Sequence, residues 1–358
     1  MNEKKPTIYD LAEALNISVG TVYRALHDTG RISPKTKARV LAKASEMNFK
    51  FNQSAQGLSR TPITIGVILC CPVVPFLDEI HSGILYEFSS LSQYNVFSDI
   101  RTMPSMNTEN CADQVTQCLD EFRQKNYAGV ILFLSGSHHV CDDALTALED
   151  ANIPMVCIIN DIPRKNRMAF VSADGYCAGR IAAELLSLTC AKQRIAILTG
   201  DSSIHIHQQN ISGFMKEAES GLFEAADIYE HHDHPELVRQ ELQTIFSHKP
   251  AYQGLYITSA SSITACPILM NVNQDNQMKV VTTDLFAQMK APLDSGVIFA
   301  TIFQNPFMQG RKAVKSIYQH LQNEKIKDVV KIPPQIVMRT NIDSFYINES
   351  PADNTEPI

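Results

Sequence analysis

Two groups of side chains in this sequence could do chemistry. The first is crowded near the start, where Thr7, Tyr9, Ser18, Thr21 and Tyr23 carry hydroxyls and Arg24 a guanidinium, with the Asn52 amide further on. Hydroxyls and amides hold phosphate oxygens, and a guanidinium can fork onto a guanine edge or a phosphate. The second group is scattered, each member following an apolar run: Phe76 after ITIGVILC, Asn160-Asp161 after MVCII, Asp284 closing KVVTTD and Gln304 closing ATIF. Carboxylate and amide groups beside an aromatic ring suit a neutral polyhydroxylated molecule, whose hydroxyls they bind while the ring covers its apolar face. No GxGxxG, GxxxxGK[ST], GxSxG or HExxH occurs. HIH at 205–207, read as a strand, would put two imidazoles on one face, and His231, His232 and His234 cluster with Asp233. No cysteine or carboxylate set stands at ligand spacing, so these read as solvated loop histidines; no metal, cofactor or catalysis is expected. Asp142-Asp143 and Glu149-Asp150 read as a helix cap and a solvated face.

The first group needs a scaffold, and TIYDLAEALNISVGTVYRAL at 7–26 supplies it. Ile8, Leu11, Ala12 and Leu15 recur at helical spacing behind Thr7 as N-cap, with Asp10 three residues on. Ser18 caps a second helix that turns Val22, Ala25 and Leu26 inward. Asn16-Ile17 is too short for an antiparallel hairpin, so the helices cross steeply, as in a helix-turn-helix whose second helix enters a major groove. Ser33-Pro34 starts a third helix, to about Met47, that turns Val40, Leu41, Ala44 and Met47 toward the first two. The following FNQSAQGLSRTPI reads as a linker whose helix-compatible core leaves Leu58 without a partner.

At 358 residues and 44% hydrophobic content the chain can form two or three domains. Its net charge of −7 is unevenly placed: residues 1–60 hold ten Lys and Arg against five acids, leaving −12 for the rest. A basic head on an acidic body directs only the head to a polyanion. Nine cysteines form no CxxC pair and sit mostly in apolar runs, as reduced thiols do. The N-terminus is polar and charged, without a signal peptide, and no segment reaches the about eighteen apolar residues of a membrane span. A cytoplasmic chain with no membrane association is expected.

Residues 6–60 closely resemble the DNA-binding head of the LacI/GalR family of bacterial transcription regulators, through TIYDLAEALNISVGTVYRAL, RISPKTKARVLAKASEMNF and NQSAQGLSR in order. The resemblance implies that Val19 and Gly20 face base edges, that Arg24 is the family's arginine on the same helix, and that Leu58 is wedged into the minor groove from a hinge helix with Ala55 beside it. Such a wedge unstacks one base step at a cost of about a few kcal/mol. Gly20 offers no side chain where many relatives have a polar one. Specificity then rests more on Arg24, on Val19 against thymine methyls and on the flexibility of the central step.

From Ile63 onward, short apolar runs alternate with helix-length stretches, and several runs lack alternation, as strands buried on both faces of a parallel sheet do. About ten strands in βα rhythm predict doubly wound parallel sheets in two lobes. The family resemblance continues to about residue 345 and implies a type I periplasmic-binding-protein-like body, with three crossovers and a ligand cleft at the carboxyl ends of the strands. It places Asp284 and Gln304 on the cleft floor and Phe76 on the first-strand loop. Two departures bear on the ligand: Asn210 in QQNISGF stands where many sugar-sensing relatives have an arginine, and Ser259-Ala260 replaces an Asn-Asp pair. Without that arginine a carboxylate or phosphate ligand is disfavoured, which leaves a neutral sugar or polyol.

The expected architecture is an all-α helix-turn-helix head at 1–50, a hinge helix or linker at 51–61, a two-lobed α/β body at 62–346 and a polar tail at 347–358. Lobe 1 is expected at about 62–160 and 305–331, and lobe 2 at about 161–304 and 332–346. The expected function is that of a homodimeric repressor whose affinity for double-stranded operator DNA is set allosterically by a sugar or polyol, held by Phe76, Asn160, Asp161, Asn210, Ser259, Asp284 and Gln304. Symmetric half-sites require the dimer, and helix 79–92 is the candidate interface. The alternatives are a solute-binding protein without a transcriptional role, disfavoured by the basic head, and an enzyme with a DNA-binding appendage, disfavoured by the missing catalytic signatures.

Overall fold

The computed structural model describes residues 6, 8–27, 32–47, 49, 62–104, 106, 110–136, 138–202, 204–232 and 234–346. The chain divides into a head, through Pro62, and a body.

In the head, Leu11, Ala12, Val22, Ala25, Val40 and Ala44 fall on the inner stripes of three helices and close a small core. The helices are α1 (Ile8–Leu15), α2 (Val19–His27) and α3 (Pro34–Glu46). Between α1 and α2, Asn16 takes a φ of 52°, which asparagine tolerates, and the Ile17 amide donates to the Ala12 carbonyl. Ser18 Oγ accepts from the Thr21 amide at 3.2 Å, and Ser33 Oγ from the Thr36 amide at 3.1 Å with Pro34 at the first helical position. One expectation fails here: Leu41 is 45% exposed, because Val40, Ala44 and Met47 share a stripe and Leu41 lies about 100° around the helix from Val40.

The body's first half supplies β1 (Ile63–Cys70), α4 (Val74–Leu91), β2 (Val96–Met103), α5 (Cys111–Gln124), β3 (Gly129–Leu134), α6 (Asp142–Asp150), β4 (Met155–Ile158) and β5 (Arg167–Ala173). The second half supplies α7 (Gly175–Cys190), β6 (Arg194–Thr199), α8 (His205–Glu217), β7 (Ala225–Glu230), α9 (Pro235–Ser247), β8 (Gly254–Ile257), α10 (Ser262–Val272), β9 (Lys279–Thr283), α11 (Lys290–Asp294), β10 (Ala300–Phe303), α12 (Pro306–Leu321), β11 (Val329–Ile332), β12 (Gln335–Val337) and α13 (Ile342–Tyr346). They form two sheets, ordered β11-β5-β4-β3-β1-β2 and β12-β10-β9-β8-β6-β7. Both are parallel in the pairings of β1, β3, β4, β5 and β11 and of β6 to β10; β12 runs antiparallel to β10. The apolar runs of β3, β4 and β8 are buried along their whole length, as helices on both sheet faces require.

The lobe boundary lies later than the sequence implied. β5 pairs with β4 and β11, so residues 161–173 belong to lobe 1 and the first crossing comes at Asp174. Parallel neighbours usually need a crossover of a dozen residues or more, but the link at 159–166 is shorter and irregular, held by the Asn166 side chain donating to the Ile153 carbonyl at 2.7 Å. The other crossings fall at Gln304–Asn305 and Pro333–Pro334, giving the three that the resemblance implied.

Each lobe fixes one pair of helices by backbone contact at glycines. A Cβ on Gly83 of α4 would lie 2.0 Å from the Phe307 carbonyl oxygen, and one on Gly179 of α7 would lie 2.0 Å from that of Asn210. These helices touch main chain to main chain, so only glycine fits.

Candidate ligand cleft and nucleic-acid interface

The carboxyl ends of both sheets face a cavity of about 420 Å³ lined from both lobes. Its floor is built on strain. Asp284, just past β9, has a φ of 71°, with its amide donating to the Ile302 carbonyl at 2.9 Å and its carbonyl accepting from Thr301 Oγ1. Ile159, just past β4, has a φ of 67°, uncommon for a β-branched residue. Such conformations persist where surrounding bonds over-determine them, and they cluster at ligand sites.

Asp284 is 1% exposed. Its Oδ1 accepts from Gln304 Nε2 at 2.9 Å, while Oδ2 has no hydrogen-bond partner. Burial pushes this carboxyl up to about 7, against the opposing pull of the Gln304 hydrogen bond. Gln304 is held in turn by Gln309, whose Nε2 donates to the Gln304 carbonyl at 2.9 Å. Across the cavity, Asn160 Nδ2 donates to the Leu134 carbonyl at 2.9 Å and leaves Oδ1 buried without a partner. Asn160 Oδ1 is an acceptor awaiting a donor, while Asp284 Oδ2 donates when the carboxyl holds its proton and accepts once it is ionised. Phe76, in the first turn of α4, meets Phe133 edge-on at 6.3 Å, and both rings line the cavity. On the lobe 2 wall, buried His231 Nε2 lies 3.2 Å from Ser259 Oγ and 2.9 Å from Ser261 Oγ, fixing both hydroxyls. No lysine or arginine lines the cavity among the described residues.

Of the seven expected ligand residues, Phe76, Asn160, Ser259, Asp284 and Gln304 line this cavity, and Asp161 and Asn210 do not. Asp161 turns to Arg167, whose Nε is 3.2 Å from Oδ1, and burial lifts its carboxyl above the usual range despite that cation. Asn210 is spent inside lobe 2: Nδ2 donates to the Ile206 and Thr258 carbonyls at 3.1 and 3.3 Å, and Oδ1 accepts from Tyr256. It stands behind the wall and positions it. The histidine expectations also change. HIH opens α8 rather than a strand, which buries His207 at the cavity, and His231 is a hydrogen-bonded core residue. At the rim, Asp201, Glu230 and His232 bring ligand atoms within 4.8 Å of one another, but both Glu230 oxygens already accept from Ser202, at 3.0 and 2.9 Å. Phe133 and Ser135 were missed although they close the AGVILFL run, where the strand-end rule points.

In the head, Ser18 just before α2 and Gly20 and Arg24 on it are exposed, with Thr21 and Tyr23 half-buried, and Tyr9 of α1 is 71% exposed. Arg24 Nε donates to the Gly20 carbonyl at 3.0 Å, which lays the guanidinium along the helix and leaves both terminal nitrogens available. Val19 is half-buried against the head core. A Cβ on Gly20 would meet nothing closer than 4.0 Å, so packing within the head does not require the glycine. Thr7, Asn52, Ala55 and Leu58 lie outside the described residues.

A three-helix head with an exposed arginine face, joined to a two-lobed body with a central cleft, defines a DNA-binding sensor class. The family model for the lacI family of bacterial regulatory proteins matches residues 7–52, and the model for the periplasmic binding protein domain matches 87–325. The chain belongs to the lacI family, with a periplasmic-binding-protein body. It is 29% identical over 217 residues to the HTH-type transcriptional regulator DegA of Bacillus subtilis, covering 60% of this chain and 61% of that one. It is 24% identical over 348 residues to the ribose operon repressor of the same organism, covering 93% of this chain and 97% of that one. The body shares its fold with GanP, a glucose-galactose binding protein from Geobacillus stearothermophilus, at a TM-score of 0.69 and 20% identity over 79% of this chain and 99% of that one.

Proposed function

We propose that this protein is a transcription repressor that binds operator DNA through its head and releases or tightens its grip when a neutral sugar or polyol occupies the cleft. The observation that carries the reading is the cavity lining: Asp284 and Asn160, each with a buried side-chain oxygen left without a hydrogen-bond partner, stand there together with Phe76, and no lysine or arginine joins them among the described residues. Hydroxyls, which both donate and accept, can satisfy either oxygen, whereas an anionic ligand meets no lysine or arginine among the described residues. Phe76, Asn160, Ser259, Asp284 and Gln304 hold the ligand, and Asn210 fixes the wall. In the head, Tyr9, Ser18, Thr21, Tyr23, Thr7 and Asn52 hold phosphates, Arg24, Val19 and Gly20 face bases, and Leu58 with Ala55 enters the minor groove. The active species is a cytoplasmic homodimer, with no catalytic role. A ligand that weakens DNA binding must itself bind the DNA-bound form more weakly by the same factor.

A thermal-shift screen of the whole chain against sugars and polyols tests the cleft. The expected hit raises the Tm of the protein but not of Asp284→Ala, and it changes affinity for a duplex recovered by selection from a random library. Leu58→Ala is expected to weaken binding to that duplex while the ligand titration is unchanged. A screen without a hit would remove the sugar or polyol, and no selected duplex would remove the regulator.

A further inference from the structure

A second cavity, of about 660 Å³, opens between α12 and β11 and reaches Asn305 and Pro333 on the segments that cross between lobes. Five lysines line it: Lys312 and Lys315 from α12, Lys325 and Lys327 from the loop that follows, and Lys331 from β11. No carboxylate lines it among the described residues. Lys331 pairs with Asp174 at 3.2 Å, whereas Lys312, Lys315, Lys325 and Lys327 have no ion pair among the described residues. This gathering runs against the composition, since residues 305–335 hold six basic side chains and two acidic ones in a body that is otherwise strongly acidic.

Like charges around one concave surface raise the local potential and repel one another, and a multiply charged anion relieves that repulsion. Two further features favour the same sign of ligand. The sixteen-residue α12 begins at the cavity, with Asn305 as its N-cap, so its dipole adds positive character there. Ser316, 6% exposed, puts a hydroxyl donor in the wall. The ammonium group is a compact point charge suited to phosphoryl oxygens. Amines carried on α12, on the following loop and on β11 surround a ligand larger than one phosphate. We propose that this groove binds a small metabolite carrying two or more phosphoryl groups, at a site separate from the cleft.

Isothermal titration of the full chain with inorganic pyrophosphate and with orthophosphate, at a constant ionic strength of about 0.15 M so that screening is equal, tests the site. Pyrophosphate is expected to saturate one site per chain and to bind at least about tenfold more tightly than orthophosphate, as a second phosphoryl group engaging further amines requires. The double variant Lys312→Gln/Lys327→Gln is expected to weaken pyrophosphate at least about tenfold, while Lys290→Gln, outside the groove and paired with Asp343, leaves it within about twofold. Asp284→Ala is likewise expected to leave pyrophosphate binding intact, which separates this groove from the cleft. The absence of saturable heat at millimolar pyrophosphate, or equal affinity in the double variant and the native chain, would overturn the proposal.

Discussion

Asp284→Asn isolates the energetics of the cleft floor. In the folded chain the carboxyl keeps its proton up to about pH 7, and in the unfolded chain only to its ordinary 3.8. Between those values the native state binds more protons, so stability falls as pH rises through the window, and the loss is complete above it. A carboxylate displaced from 3.8 to about 7 forfeits about 4 kcal/mol once it is ionised. Most of that, about 2–3 kcal/mol, falls between pH 5 and pH 8. Asparagine keeps the acceptor for Gln304 and removes the titration. Its amide nitrogen, in place of the unpartnered Oδ2, adds a pH-independent cost of about 1–3 kcal/mol. The informative quantity is therefore the slope. Urea melts of both proteins from pH 5 to pH 8 are expected to differ by an amount that shifts by about 2–3 kcal/mol in favour of the variant as pH rises. Other titrating groups are common to both and cancel. Stability curves that stay parallel across this range would refute a buried, raised carboxyl.

Other substitutions probe the remaining sites. Arg24→Ala is expected to cost about 1–3 kcal/mol of operator binding and to relax specificity, read by anisotropy titrations at several salt concentrations. Gly20→Ala is expected to stabilise the head by up to about 1 kcal/mol, since a Cβ there has room, while changing the sequence recovered by selection; a loss of stability would contradict the open space. Gly179→Ala must move α7 from α8 and is expected to cost about 1–3 kcal/mol in urea melts; a neutral result would mean that the contact is slack.

The parts of the fold that were legible are those in which one local rule decides. The unbroken apolar runs of β1, β3 and β4 can only be strands buried on both faces, and Ser33-Pro34 can hardly be other than a helix start. The edge strand β7, half-buried along most of its length, has no such run and escaped notice, as did β11 and β12. α10 was hidden by Pro267 within it. For the site, the strand-end rule reached Asn160, Asp284 and Gln304 because the sheets themselves aim them. It failed for Asp161, and the family match failed for Asn210, since Arg167, Tyr256 and two carbonyls compete for those side chains and sequence does not show who wins. His207 and His231 read as solvated loop histidines in the sequence, and only the placement of α8 and β7 shows that both are buried.

The three crossings also govern how the body can be made. Lobe 2 is inserted into lobe 1: α12, which packs on β3, β4 and β5, and β11, which pairs with β5, are translated after β10. A nascent chain ending before Pro306 has synthesised most of both lobes yet leaves β3, β4 and β5 without the helix that packs on them, including Gly129, whose neighbour in the finished fold is Ile317. The second sheet likewise lacks β12 until Gln335–Val337 emerges. Neither lobe can close before nearly the whole chain has left the ribosome. A frameshift late in the gene would therefore yield no half-sized sensor, only an unfinished one with exposed apolar sheet, the kind of surface that chaperones and proteases recognise.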